Sequence, residues 1–303
     1  LILALDRPAE QLGQLGAQLT AEERSSTRAL FKEGESEPGF EDFARVVSLE
    51  ELIAWAESGW LIDLLAQERM TSFFQPLVKA ADPTVVVAHE ALLRGLGESG
   101  EIFSPGRMLG AAKSTGLLFQ LDRAARMTAI REFTKCDLSS LVFINFTPTA
   151  IYDPVNCLAS TVKLIHEIGL APQRVVFEVV ESEEVKDLPH LANIMRFYRE
   201  AGFGIALDDL GSGYGSLNLL SELRPDYVKL DMGLVRGVDS DPFKAIIADR
   251  LLSMARDLGV KTVVEGVETK AELAWSQEHG ADLIQGYLLA KPANPPHKPN
   301  WPQ

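Results

Sequence analysis

Eight short apolar runs, each long enough for a buried strand, follow one another from Phe73 onward. They are Phe73–Val78, Val85–Leu93, Leu141–Asn145, Val175–Val180, Phe203–Leu207, Tyr227–Leu230, Lys261–Val264 and Leu283–Leu288. Helical patterns separate most of them. Ser104-Pro105 opens one helix that Gly116 closes, and Asp241-Pro242 opens another that Gly259 closes. Strands alternating with helices in this number predict an α/β protein, and a closed (β/α)8 barrel in preference to an open sheet. A chain of 303 residues holds one such barrel with a remainder.

The polar residues fall at the ends of these runs. The second carries Glu90 and Arg94, the third Asn145, the fourth Glu178 and Glu181, and the fifth Asp208 and Asp209. The sixth carries Lys229 and Asp231, the seventh Glu265 and Glu268, and the eighth Gln285. Parallel barrel strands converge at one face, where catalytic groups are drawn from several strand ends. The fifth run is the sharpest case: Phe203 to Ser216 reads FGIALDDLGSGYGS, an apolar strand that stops on two acids and enters a loop with Gly211, Gly213 and Gly215.

Five carboxylates and one amide oxygen form an all-oxygen set: Glu90, Asn145, Glu178, Asp208, Asp209 and Glu265. Mg²⁺ and Mn²⁺ take such ligands, and the set is too large for one ion that keeps several waters. Two ions sharing an aspartate are expected, a pair that clamps a phosphoryl oxygen and activates a water. Lys229 is then expected among the carboxylates, bonded to that water or to phosphate.

Composition narrows the partners. A net charge of −14 argues against a nucleic acid polymer, which needs a basic face. It leaves room for a small phosphorylated ligand whose charge divalent ions offset. No stretch approaches the ~18 apolar residues of a membrane helix, so no membrane contact is expected within this chain. Cys136 and Cys157 match neither a metal spacing nor a disulfide framework, which points to the cytoplasm. The chain starts at Leu1 without a signal pattern, and is read as part of a longer protein.

Residues 1–70 read as a helical lobe without visible chemistry. Thr20 with Glu23 and Ser48 with Glu51 have capping-box spacing, Gly34 to Gly39 reads as a loop, and Leu49–Ala66 reads as helical. Residues 71–293 make the barrel, and 294–303 a proline-rich tail with Pro295, Pro296, Pro299 and Pro302.

His89-Glu90-Ala91-Leu92-Leu93-Arg94-Gly95 resembles the motif that names the EAL domains, bacterial phosphodiesterases of cyclic di-GMP. The resemblance runs from about Phe73 to Pro292. It includes Phe74-Gln75-Pro76, Ile144-Asn145-Phe146-Thr147-Pro148, Phe177-Glu178-Val179-Val180-Glu181-Ser182 and Asp208-Asp209-Leu210-Gly211-Ser212-Gly213-Tyr214. It continues through Val228-Lys229-Leu230-Asp231, Glu265-Gly266-Val267-Glu268-Thr269 and Gln285-Gly286-Tyr287.

The resemblance implies a modified TIM-type barrel whose first strand runs antiparallel to the others. It implies hydrolysis of cyclic di-GMP to linear pGpG with two Mg²⁺ or Mn²⁺ ions, or, in members that have lost catalysis, a cyclic di-GMP receptor. It assigns metal ligation to Glu90, Asn145, Glu178, Asp208, Asp209 and Glu265, and substrate contact to Gln75, Leu92, Arg94 and Gln285. Lys229, Glu90 and Glu268 are the implied catalytic set, Lys229 positioning the attacking water and Glu268 holding the loop after the aspartates. A homodimer through the region after Asp209 is also implied. The family's aromatic after the aspartates is Leu210 here, its threonine is Ser212 and a serine is Gly215. These departures touch loop stiffness and leave every metal ligand and the lysine in place.

Overall fold

The structure is a computed structural model, and it describes residues 5–32, 39–180, 187–211 and 216–299. The chain divides into two compact units: Leu1–Met70 with Gly95–Leu121, and Thr71–Arg94 with Asp122–Gln303.

The first unit is mainly helical. Both expected capping boxes form: Thr20 and Glu23 open Ala21–Ser26, and Ser48 and Glu51 open Leu49–Glu57. The expected helix Leu49–Ala66 breaks at Ser58 into Leu49–Glu57 and Gly59–Ala66. Leu12, Leu49 and Ile53 form the buried centre of the N-terminal helices, with Leu15, Leu52 and Ala56 packed on it. Helix Pro105–Thr115 starts on Ser104, whose hydroxyl accepts from Arg107 N–H, and ends on Gly116 at φ +70, as its boundary residues predict. The expected loop at Gly34–Gly39 lies, apart from Gly39, outside the described residues.

The second unit carries the barrel. Its strands are β1 (Met70–Lys79), β2 (Asp82–Leu96), β3 (Leu141–Phe146), β4 (Val175–Val180), β5 (Gly204–Leu210), β6 (Tyr227–Leu230), β7 (Lys261–Val264) and β8 (Leu283–Ile284). Going round the sheet the order is β1-β8-β7-β6-β5-β4-β3-β2, and a β1–β2 pairing closes the ring. Neighbours from β2 through β8 are parallel, whereas β1 pairs antiparallel with β8 at Val78–Ile284 and Lys79–Leu283. The result is an eight-stranded α/β barrel of the TIM type with one reversed strand.

One buried residue from every strand meets at the barrel axis: Leu77, Ala88, Phe143, Val176, Ala206, Tyr227, Val263 and Leu283. Strand side chains alternate faces, so the residue two further along also faces inward. On the parallel strands those residues are Glu90, Asn145, Glu178, Asp208 and Lys229 and, just past β7 and β8, Glu265 and Gln285. On reversed β1 the same level is reached by stepping backward, to Gln75. An apolar layer therefore floors a ring of eight polar groups, and period two alone puts them there.

Strands β1, β2 and β3 run a few residues beyond the sequence reading, and two further boundary differences bear on the site. The run Leu283–Leu288 is strand only to Ile284, because Gly286 turns the chain hard against the Val267 backbone. A Cβ on Gly286 would lie 1.9 Å from Val267 O, so only glycine fits. Conversely, β5 does not stop before the paired acids but runs through them to Leu210. Ala293 is bonded to β1 through Phe74 in both directions, and Asn294 Nδ2 donates to Thr71 Oγ1 and Glu132 Oε2. The first residue of the proline-rich tail is thus tied to the barrel.

Candidate functional site

A normal strand would send Asp208 and Asp209 to opposite faces. Here the β5–β6 register slips by one residue, Leu207 pairing with Val228 and Leu210 with Leu230. Asp209 takes up the extra residue at φ +58, a left-handed conformation that Asp tolerates better than most residues. The bulge turns both acids toward one volume. One carboxylate oxygen each from Asp208, Asp209 and Glu265 lie within 4.8 Å of one another.

Lys229 sits at the centre of the ring and is 1% exposed. Its Nζ lies 2.8 Å from Glu265 Oε1, 2.9 Å from Glu178 Oε1, 3.0 Å from Asp208 Oδ1 and 3.7 Å from Glu90 Oε1. An amide chain holds Glu90: Asn145 Nδ2 donates to Oε1 at 3.0 Å and Gln285 Nε2 to Oε2 at 2.7 Å. Gln285 Nε2 also lies 3.2 Å from Gln75 Oε1, and Gln75 Nε2 donates to Ala290 O.

So many buried carboxylates cannot all keep their charge easily. Burial, with the charges of Glu90 and Asp208, holds the Glu178 carboxyl well above the usual range despite the nearby ammonium. Glu265 is pushed up to about 8 by burial and by Asp208 and Glu90. Burial works against the Lys229 charge, but the surrounding acids outweigh it and raise its pKa. Burial likewise opposes ionisation of Glu90, yet Lys229, Gln285 and Asn145 together lower its pKa.

The donor set fits hard divalent cations. It is all oxygen, with Asn145 Oδ1 left over once its Nδ2 has bonded Glu90. Glu178 supplies the most telling observation. Its Oε1 faces the Lys229 ammonium at 2.9 Å, while its Oε2 is fully buried and has no hydrogen-bond partner among the described residues. A buried carboxylate oxygen left without a hydrogen bond calls for a partner of another kind.

Eight of the residues expected at the site are thus joined through contacts, with Asp209 beside Asp208 and Glu265. Leu92 and Arg94 continue the inward face of β2 beyond Glu90, both half-buried, and the Arg94 guanidinium lies 5.2 Å from the centre of the Phe73 ring. Glu268 is an ion-pair partner of Arg236. The loop it was expected to hold includes residues 212–215, which lie outside the described residues, as does Glu181. Asp231 caps the turn Met232–Val235 through Gly233 N–H. Glu272 was missed, although Thr269 and Glu272 have capping-box spacing. Its Oε1 accepts from Gly237 N–H, and its Oε2 from Glu268 and Thr269 N–H.

The model of the EAL domain matches residues 59–292. The chain belongs to the EAL domain family. It is 31% identical over 238 residues to the cyclic di-GMP phosphodiesterase NbdA of Pseudomonas aeruginosa, a match that covers 75% of this chain and 29% of NbdA. It thus spans under a third of that relative's length. A standalone EAL protein of Vibrio cholerae O395, solved in a form with bound c-di-GMP, aligns with a TM-score of 0.67 and 35% identity, over 74% of this chain and 92% of that one. A manganese and cyclic di-GMP complex of Klebsiella pneumoniae BlrP1 aligns with a TM-score of 0.67 and 27% identity, covering 81% of this chain and 66% of that one. No helix among the described residues of this EAL domain is long and apolar enough to cross a membrane.

Proposed function

We infer that this EAL domain hydrolyses cyclic di-GMP to linear pGpG with two Mg²⁺ or Mn²⁺ ions. The observation that carries the reading is the buried Glu178 Oε2, without a hydrogen-bond partner among the described residues, inside a complete oxygen ring. Glu90, Asn145, Glu178, Asp208, Asp209 and Glu265 would hold the ions. Bound there, the ions supply Lewis-acid polarisation of the scissile phosphodiester and lower the pKa of the attacking water.

The protein's own groups do the remaining work. Lys229, an ammonium with donors only, orients the water and the phosphate oxygens at the ring's centre. The amides of Asn145 and Gln285 fix the two oxygens of Glu90 in direction. Leu92 and Arg94 lie further up β2, where an apolar contact and a phosphate contact to the dinucleotide belong, and Gln75 and Gln285 border the same mouth. Glu268, through Arg236, steadies the loops around it.

A homodimer through the region after Asp209 is supported by the helix Pro242–Asp257, whose Leu251 lies beside Gly211 and which leaves Phe243, Ile246 and Ile247 exposed. A cytoplasmic site is supported by Cys136 and Cys157, both free thiols. Incubation with cyclic di-GMP and chromatography of the products tests the activity. Production of pGpG with Mg²⁺ or Mn²⁺, and none in excess chelator, is expected; undiminished turnover in chelator would overturn it.

A further inference from the structure

Behind the site, helix Leu118–Lys135 carries a buried ion pair one turn apart, Asp122 and Arg126, at 5% and 0% exposure. Arg126 Nε donates to Asp122 Oδ2 at 2.9 Å, and Arg126 Nη1 bonds Thr161 Oγ1 on helix Pro154–Glu167. Arg126 Nη2 is buried without a hydrogen-bond partner. Burial works against the arginine's charge, but Asp122 outweighs it, so the guanidinium stays charged. Such a pair is a poor device for stability alone, because well-packed apolar residues often serve as well or better.

The other oxygen of Asp122 shows what the pair does. Oδ1 accepts from Thr147 N–H at 2.7 Å. Thr147 is the first residue after β3 and stands two beyond Asn145, between the sheet and the turn Pro148–Ala150. The N–H at that exit therefore takes its acceptor from a side chain of a different element. Arg126 in turn fixes the carboxylate through its Nε, and Thr161 bonds only the far side of that guanidinium. The Asn145 carboxamide is clamped at Nδ2 by Glu90, and its backbone runs through Phe146 directly into that exit.

We propose that Asp122, braced by Arg126, is a positioning residue for Asn145 that aims its amide oxygen at the divalent cation. This rests on the reading of Asn145 as a metal ligand. Removal of groups that orient metal ligands typically weakens metal binding by 10–100-fold.

The test is Mn²⁺ titration of the full chain, following free Mn²⁺ by electron paramagnetic resonance, with thermal melts in chelator for every variant. Asp122→Asn loses the charge and disturbs the acceptor of Thr147 N–H. The double variant Asp122→Leu with Arg126→Met replaces the pair by apolar groups, and Thr161→Val removes only the brace's outer partner. Asp122→Asn and the double variant should each bind Mn²⁺ about tenfold more weakly. The double variant should do so at a melting temperature no lower than that of Asp122→Asn, which leaves the arginine's charge buried and unpaired, while Thr161→Val should melt lower than wild type yet bind Mn²⁺ normally. Wild-type affinity in Asp122→Asn overturns the proposal. So does equal weakening in Thr161→Val and Asp122→Asn, which would mean that affinity follows global stability. If the double variant does not fold, the comparison of those two single variants decides. A wild-type chain that binds no Mn²⁺ overturns the reading of the site itself, and this inference with it.

Discussion

Lys229 and Asp209 show how much one residue's surroundings alter what it does. Lys229 meets three carboxylates at 3.0 Å or less inside the protein. Breaking a buried ion pair by removing one partner costs about 3–5 kcal/mol, because the other charge is stranded. Lys229→Met should therefore melt well below wild type in chelator. Added Mg²⁺ should recover part of the loss by neutralising the stranded acids, and turnover should fall by ~10²–10⁴. Melts and product assays on the same preparation check both, and a wild-type melt with normal turnover would reduce Lys229 to a bystander. At Asp209 the φ of +58 separates charge from conformation. Asn shares Asp's tolerance of left-handed backbone and Ala does not, which costs about 1 kcal/mol or more. Asp209→Asn and Asp209→Ala should lose activity alike, but only the alanine variant should melt lower in chelator.

Among the elements, the loop from Glu265 to Thr269 depends most on a residue that does no chemistry. Glu272 lies in the first turn of helix Lys270–Glu278 and accepts from three backbone N–H groups, one of them at Gly237. Gly266 at φ +68 packs where a Cβ would lie 2.4 Å from Met232 Cβ, so the loop is fixed at both ends. Burial works against the Glu272 charge, but the bonds from Gly237, Glu268 and Thr269 lower its pKa overall. Its folded value lies below the unfolded one, so the unfolded chain binds the proton first as pH falls. The stability Glu272 contributes is complete above the unfolded value near 4.3 and is lost as pH falls through the folded one. Glu272→Gln should thus be destabilised near neutrality by about 2 kcal/mol, an estimate for bonds to a charged acceptor. The gap to wild type should shrink in melts taken below about pH 4, where the native glutamate is itself protonated. A gap that stays constant from pH 7 to pH 3 would show that packing, not charge, is what the glutamate contributes.

For the whole molecule, the site is a reservoir of like charge within a chain of net charge −14. A cation that binds the folded ring, and has no such ring in the unfolded chain, must stabilise the fold by linkage. At a free concentration 100-fold above its dissociation constant the gain is about 2.7 kcal/mol. Mg²⁺ or Mn²⁺ should raise the melting temperature, and chelator should lower it to that of an ion-free sample. In Asp208→Asn the response should be much reduced. Melts of both proteins across a metal titration check this, and a wild-type curve indifferent to millimolar Mn²⁺ would contradict the proposed site.

What could be read from the chain alone was the inward ring. Strand periodicity is local, so an apolar residue facing the axis determines that the residue two positions on faces it too. That covers Glu90, Asn145, Glu178, Asp208, Lys229, Glu265 and Gln285. Tertiary structure decided what local pattern does not encode. The register slip at Leu207–Leu210 exists only against β6, yet it is what brings Asp209 round beside Asp208. The supports of the site are bonds between residues far apart in the chain: Thr147 with Asp122 at 25 residues, Arg236 with Glu268 at 32 and Gly237 with Glu272 at 35. Side chains spaced like these meet only after the barrel has closed, because closure, not sequence spacing, sets the distance between the elements that carry them.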